Sequence, residues 1–123
     1  MAQELLIGID LIEVKRIEKA YRRWRERFLQ RVYTEEEIES CGGHLPSLAA
    51  RFAIKEAVAK ALGLGIGEIS WREIETLRDP QGKPHLRLSG KAQARAEEMG
   101  VRKWAISLSH TREAAIAIAI GLG

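Results

Sequence analysis

Four charged side chains sit in RFAIKEAVAKA, residues 51–61, a stretch otherwise made of small and apolar residues. Wound at about 100° per residue, Ala53, Ile54, Ala57, Val58, Ala61 and Leu62 form one arc, and Arg51, Lys55, Glu56 and Lys60 form the other. Phe52 and Ala59 fall among the charges, so that face is expected to be partly covered. Glu56 and Lys60 are four apart with the acid first, the order of a helix ion pair worth roughly 0.3 kcal/mol. Asp10 has an equally plain reading, since with Glu13 it forms D-x-x-E and could cap a helix. Together the two acids say more. A carboxylate at the end of an N-terminal strand and another on the central helix of a small domain could meet, and at close range they repel unless a cation or a proton lies between them. Mg²⁺ suits that place, being a hard ion held by one or two carboxylates, with waters and phosphate oxygens completing its shell. Arg51, Lys55 and Lys60 would offer positive charge to those phosphates. The chemistry implied is of the phosphoryl-transfer type.

Other residues with chemical potential give less. GLGIG at 63–67 follows a helix and so meets its negative end, whereas the phosphate loops of nucleotide-binding folds precede a helix. It reads as a C-cap whose amides could still approach a phosphate. His110 falls at a turn after Ser107 and Ser109, and neither His44 nor His85 makes a metal-ligand spacing with it. The single Cys41 has no sequence partner that would mark it as a nucleophile. Trp24, Trp71 and Trp104 read as core or interface residues.

The elements that must position these groups follow from periodicity. Leu5–Ile9 reads as a short buried strand ending at Asp10, with Gly8 allowing a backbone or ligand to approach. Val14, Ile17, Tyr21, Trp24 and Phe28 recur every three or four residues and predict one amphipathic helix from 11 to about 29. Thr34 and Glu37 form a capping box for a short helix ending near Gly42-Gly43. The charged helix is expected from Ser47 to Leu62, ended by Gly63. WREIETLRD and HLRLS, split by PQGKP, predict a hairpin. Ser89 could cap a helix running to Met99. VRKWAISLSH and AAIAIAIG predict a second hairpin turning at TRE. In its last strand Ile116, Ile118 and Ile120 alternate with Ala115, Ala117 and Ala119, and the smooth alanine side is expected to receive the alanine arc of the charged helix. The fold class is α+β, an antiparallel sheet packed on a central helix, in a single domain spanning 1–123.

The chain has 123 residues, one cysteine and a net charge of +3. One domain of that size buries roughly two-thirds of its unfolded surface. A lone cysteine excludes an intrachain disulfide framework and fits a reducing compartment. No apolar run approaches the roughly 20 residues of a membrane span, and MAQELLIGID lacks the marks of a leader. A cytoplasmic protein is expected. The charge is concentrated: Lys15 to Arg31 holds eight basic residues against Glu18 and Glu26, a local +6, so the remainder carries −3. Such a patch attracts an acidic partner.

Four blocks carry a resemblance over nearly the whole chain. GIDLIEVKRI at 8–17, ARFAIKEAVAKALGLGIG at 50–67, the D-x-x-GKP of Asp79–Pro84, and SLSHT at 107–111 are similar to the holo-(acyl-carrier-protein) synthase family, the short 4′-phosphopantetheinyl transferases. The resemblance implies Mg²⁺-dependent transfer of 4′-phosphopantetheine from coenzyme A to a serine of apo acyl carrier protein, releasing adenosine 3′,5′-bisphosphate. It implies Asp10 and Glu56 as metal ligands and Lys60 as a phosphate contact; the need to deprotonate the attacking serine, and not the resemblance, makes Glu56, directly or through a metal-bound water, the candidate base. Arg51 and His110 would lie near the 3′-phosphate and adenosine, with Gly63, Gly65, Pro84 and Thr111 shaping that pocket. Arg16, Arg27, Phe28 and Arg31 would meet the acidic carrier. A homotrimer with sites between subunits is implied as well. Leu6 departs from the family pattern, where many members have a further glycine. Two rival readings are a nucleic-acid-binding domain using the 15–31 face and a Mg²⁺-dependent nucleotide hydrolase. The first lacks aromatics displayed among its charges for stacking; the second gives the basic helix no purpose. Neither nucleic acid nor membrane is expected as a partner.

Overall fold

The computed structural model describes residues 5–65 and 67–123. Residues 1–4, part of the stretch read for a leader, and Ile66 of GLGIG lie outside the described residues. The chain runs β1 (Leu5–Glu13), α1 (Val14–Trp24), α2 (Glu26–Val32), α3 (Glu35–Cys41), α4 (Leu45–Ala61), a 3-10 turn (Trp71–Glu73), β2 (Ile74–Arg78), β3 (Pro84–Leu88), α5 (Gly90–Glu98), β4 (Lys103–His110) and β5 (Ala114–Leu122). The α+β class is as expected, with the strands in two antiparallel sheets: β1-β5-β4, and the separate hairpin β2-β3.

Helix α4 lies on the three-stranded sheet, mainly across β1 and β5. The contact works because both surfaces are smooth. Ala115, Ala117 and Ala119 of β5 are buried, as are Ala49, Ala53, Ala57 and Ala61 of α4. Gly8 pairs with Ala119 across the ladder, and a Cβ built on it would stand 1.7 Å from the carbonyl oxygen of Ala57. Only glycine lets the helix backbone come so near.

The capping box at Thr34 forms as expected. Its hydroxyl accepts from Glu37 N, and Glu37 Oε1 accepts from Thr34 N. Gly42 ends α3 with φ 54°, a left-handed conformation that suits a helix C-terminus. His44 caps α4 by accepting from Ser47 N at Nδ1.

Five expectations change. Strand β1 runs on to Glu13 and is buried on one face only: Ile7, Ile9 and Leu11 are 56%, 53% and 68% exposed. A continuous apolar run carries no alternation that would show one face left open. Helix α1 consequently starts at Val14, and Asp10 caps nothing. The expected single helix from 11 to about 29 breaks at Arg25, the non-glycine residue of positive φ (50°) among those described. The break turns Leu29 and Val32 into the core and leaves Trp24 outside it, 47% exposed. Trp71–Glu73 forms a 3-10 turn, since Ser70 and Glu73 make a second capping box ahead of β2. Ser89 stands at the N-cap of α5 without a side-chain bond, and the Glu73 carboxylate accepts from Ala92 N instead.

Replacing Gly8 by alanine is expected to cost roughly 3 kcal/mol of stability through overpacking of helix against strand. Urea unfolding at equilibrium checks this, and a loss below the effect of an ordinary surface substitution would contradict the contact.

Candidate functional site

Asp10 points from β1 toward α4, on the same strand face as Gly8 and Ile12. Because helix and strand lie so close, a short side chain reaches across. Lys60 Nζ donates to Asp10 Oδ1 at 2.9 Å and to the Ile9 carbonyl at 3.1 Å. Among the described residues Lys60 makes its ion pair with Asp10 and not with Glu56, so the i,i+4 reading of Glu56–Lys60 gives way to a tertiary pair. Glu56, one turn back on α4, is half-buried. Burial pushes its carboxyl above the usual carboxylate range, the Asp10 charge pushes it further, and Lys60 and Arg16 pull it back. Asp10, Glu56, Lys60 and Arg16 therefore share one electrostatic neighbourhood, two acids facing two bases at the C-terminal half of α4.

These donors fit a hard divalent cation. The two acids repel each other, which a cation between them would relieve. Among the described residues no group of three or more His, Cys, Asp or Glu side chains could hold a metal ion, so a cation here would need oxygen ligands from outside the protein. That is the coordination Mg²⁺ favours.

The remaining charges of the 51–61 stretch point elsewhere. Lys55 is 0% exposed. Its ammonium donates to Glu37 Oε1 at 2.7 Å, Ile74 O at 2.6 Å and Trp71 O at 3.1 Å. Burial pushes its pKa down while Glu37 pulls it up. With all three donors engaged in the core, Lys55 cannot offer charge to a phosphate, which corrects that expectation. Arg51, 4% exposed, donates to Glu37 O, Ser40 Oγ and Cys41 Sγ at the C-terminal end of α3. Burial pushes the Cys41 thiol up, against the pull of Arg51.

The other expected site residues fall into three places. Gly63 and Gly65 follow α4 beside Lys60; Gly63 N bonds to Lys60 O and Gly65 N to Glu68 Oε1. His110 lies at the end of β4 with its ring 5.8 Å from that of His44. It shares a groove of about 350 Å³ with Pro84, Arg78 and Lys83. Thr111 closes the β4-β5 turn, its hydroxyl accepting from Glu113 N and Ala114 N. His44 and Glu56 are twelve residues apart on α4, about 18 Å along the axis. The structure thus brings Asp10, Glu56, Lys60 and Arg16 together and sets His110 near the opposite end of the helix.

Arg27, Phe28 and Arg31 do come together, in a groove of about 410 Å³ whose other walls are Trp24, Phe52 and Trp71. The Phe52 and Trp71 rings lie 4.6 Å apart at 31°, so Trp71 is what covers the aromatic on the charged arc of α4. Arg16 stands apart from this groove, nearer Glu56. The sequence reading missed Trp24, Trp71, Arg78 and Lys83 as site residues. Only Phe52, an aromatic set among charges, signalled that something lay over that face.

Residues 6–119 match the family described as the 4′-phosphopantetheinyl transferase superfamily. A holo-(acyl-carrier-protein) synthase of Herpetosiphon aurantiacus is 52% identical over 126 residues, covering 97% of this chain and 99% of that protein. One from Dehalococcoides mccartyi is 50% identical over 116 residues, covering 94% and 97%. The crystal structure of the Helicobacter pylori holo-(acyl-carrier-protein) synthase in complex with coenzyme A superposes with a TM-score of 0.85 at 34% identity, covering 94% and 99%.

The Asp10 charge disfavours ionised Glu56, so Asp10→Asn is expected to move the Glu56 midpoint to lower pH. Carbon-13 NMR titration of the glutamate side chains reads this directly, and an unchanged midpoint would mean that the two acids do not feel one another.

Proposed function

The chain belongs to the 4′-phosphopantetheinyl transferase superfamily and, within it, to the holo-(acyl-carrier-protein) synthases, and from that premise we propose that it transfers 4′-phosphopantetheine from coenzyme A to a serine of apo acyl carrier protein with Mg²⁺, releasing adenosine 3′,5′-bisphosphate. The observation that carries this reading is the convergence of Asp10, Glu56 and Lys60 across the α4–β1 contact. Residues 1–123 are read as one transferase domain.

In the proposed reaction the serine oxygen attacks the phosphorus that bears pantetheine, and the bond from that phosphorus to the bridging oxygen of the adenosine bisphosphate breaks. Asp10 and Glu56 would hold the Mg²⁺, which when bound neutralises phosphate charge and orients the diphosphate. Lys60, positioned by Asp10 Oδ1 and the Ile9 carbonyl, places a cation where the departing group gains charge. Glu56 is the candidate for taking the serine proton. Its raised pKa makes it a stronger acceptor than an ordinary carboxylate.

Two surfaces support the partners. The basic face of α1 and α2, with the groove holding Arg27, Phe28 and Arg31, matches a small, strongly acidic carrier, and Arg16 stands between that face and Glu56. The outer face of the β1-β5-β4 sheet shows Ile7, Ile9, Leu11 and Ile116 to solvent, a contiguous apolar surface of the kind that marks an interface. We read it as the contact of a homotrimer. In such an assembly His110, Pro84, Thr111 and Arg51 of one subunit would complete, for the adenosine 3′-phosphate end, a site begun by Asp10, Glu56, Lys60, Gly63 and Gly65 of the next. None of the described helices is long and apolar enough to cross a membrane, and a cytoplasmic location, where coenzyme A and apo carrier meet, is part of the proposal.

Incubating an apo acyl carrier protein with the chain, coenzyme A and Mg²⁺ is expected to add the mass of phosphopantetheine, with loss of the product on chelation. Glu56→Gln should lower turnover by about a hundredfold or more with the fold retained; wild-type turnover in that variant would remove Glu56 from the chemistry. Ile118→Glu puts a carboxylate at the centre of the outer sheet face and is expected to convert a trimer to monomers in sedimentation velocity. A trimer that survives the substitution would place the subunit contact elsewhere.

A further inference from the structure

Lys55 is a charge of the 51–61 stretch to which the proposed chemistry gives no part. Its three donated bonds form one device. The ammonium ties α4 to the carbonyls of Trp71 and Ile74 at the two ends of the 3-10 turn segment. The Glu37 carboxylate it pairs with also accepts from Thr34 N and Thr76 N, tying α3 to β2. Both side chains are 0% exposed. A buried ion pair gives up much of its attraction to desolvation, so an apolar pair of equal volume would match it in packing, but would leave Thr34 N, Thr76 N and the Trp71 and Ile74 carbonyls without this partner. What it could not supply is direction: two hydrogen bonds that fix where one short turn sits on the helix.

That turn carries Trp71, whose ring lies on Phe52, and Phe52 precedes Lys55 by three residues on α4, which places the two on adjoining positions of one helix face. Together the two rings floor the groove walled by Trp24, Phe28, Arg27 and Arg31. We propose that Lys55 is a positioning residue for carrier recognition: by holding the 71–74 backbone it fixes the Trp71 ring against Phe52, and so sets the apolar floor on which the acidic carrier seats an apolar side chain between Arg27 and Arg31. This rests on reading the α1–α2 face as the carrier's docking surface. Glu56, the next residue, is turned about 100° from Lys55 and toward Asp10, so the device lies outside the chemistry.

The test is steady-state kinetics on Lys55→Met, Lys55→Met/Glu37→Gln and Trp71→Ala, with an apo acyl carrier protein and coenzyme A varied in turn and circular dichroism as the check on folding. The double variant removes both charges of the Lys55–Glu37 pair together. Expected is a carrier KM raised about tenfold with kcat and the coenzyme A KM within about twofold of the parent, and little added loss when the Lys55 change is made in the Trp71→Ala background. The aromatic contribution should also persist at high salt, where the effect of Arg27→Ala fades. A folded Lys55 variant with an unchanged carrier KM, or with both substrates and kcat affected equally, overturns the proposal. So does a Trp71→Ala protein that uses carrier normally, and so does failure of both Lys55 variants to fold, which would assign the pair to the whole fold and not to the groove. A parent chain that modifies no carrier sinks the reading of function itself, and this proposal with it.

Discussion

The approach of α4 to β1 with no side chain between them is the constraint from which the site follows. Aspartate is short, and its carboxylate meets Lys60 at 2.9 Å because the helix lies on the strand at the distance of a glycine and an alanine carbonyl. Larger residues along this seam would lift the helix away from the strand, and Asp10 would then face a gap. The alanines of α4 and β5 are therefore part of the machinery as much as the acids are. They carry no function of their own, but they hold the charged groups within reach of one another.

The same helix serves two kinds of charge, and burial sorts them. On the side toward α3 and β2, Arg51 and Lys55 spend their donors on carbonyls, a thiol, a hydroxyl and a carboxylate. A cation in the core is tolerable only with such hydrogen bonding. Toward β1, Glu56 and Lys60 keep solvent contact, and Lys60 has a side chain 55% exposed. Reactivity goes with incomplete satisfaction: the Lys55 ammonium is fully occupied in the core, and the pair at the strand retains capacity for a ligand.

Much of this was legible in the residues, and the exceptions have identifiable causes. The β5 alternation of isoleucine and alanine foretold which face would take the helix, and Thr34 with Glu37 foretold the start of α3, because each is a local pattern with a single geometric solution. The fates of Lys55 and Lys60 could not be separated the same way. They are the same residue type on one arc of one helix, and what distinguishes them is the neighbour that folds over each, the 71–74 segment for one and open solvent for the other. The break at Arg25 had no marker either, since neither glycine nor proline stands there and the apolar period runs through it. The Ser70–Glu73 box was written in the chain, but the β-rich run after it dominated that stretch. Resemblance supplied what physics alone left open, above all the choice among phosphoryl chemistries.

The apolar sheet face and the divided site are one problem with one solution in the proposed assembly. Within a single chain α4 separates Glu56 in its C-terminal half from His44 at its start by about 18 Å, a distance its own rigidity maintains, and His110 lies beside His44. Folding the chain differently could not bring the two ends together without dissolving the Gly8–Ala57 contact that makes the acid cluster. A second copy can, because its own helix start arrives independently of the first chain's packing. The exposure of Ile7, Ile9, Leu11 and Ile116 then provides the energy that brings the copies together. On this reading the rigid seam that makes half a site in one subunit is also what requires the other half to come from a neighbour.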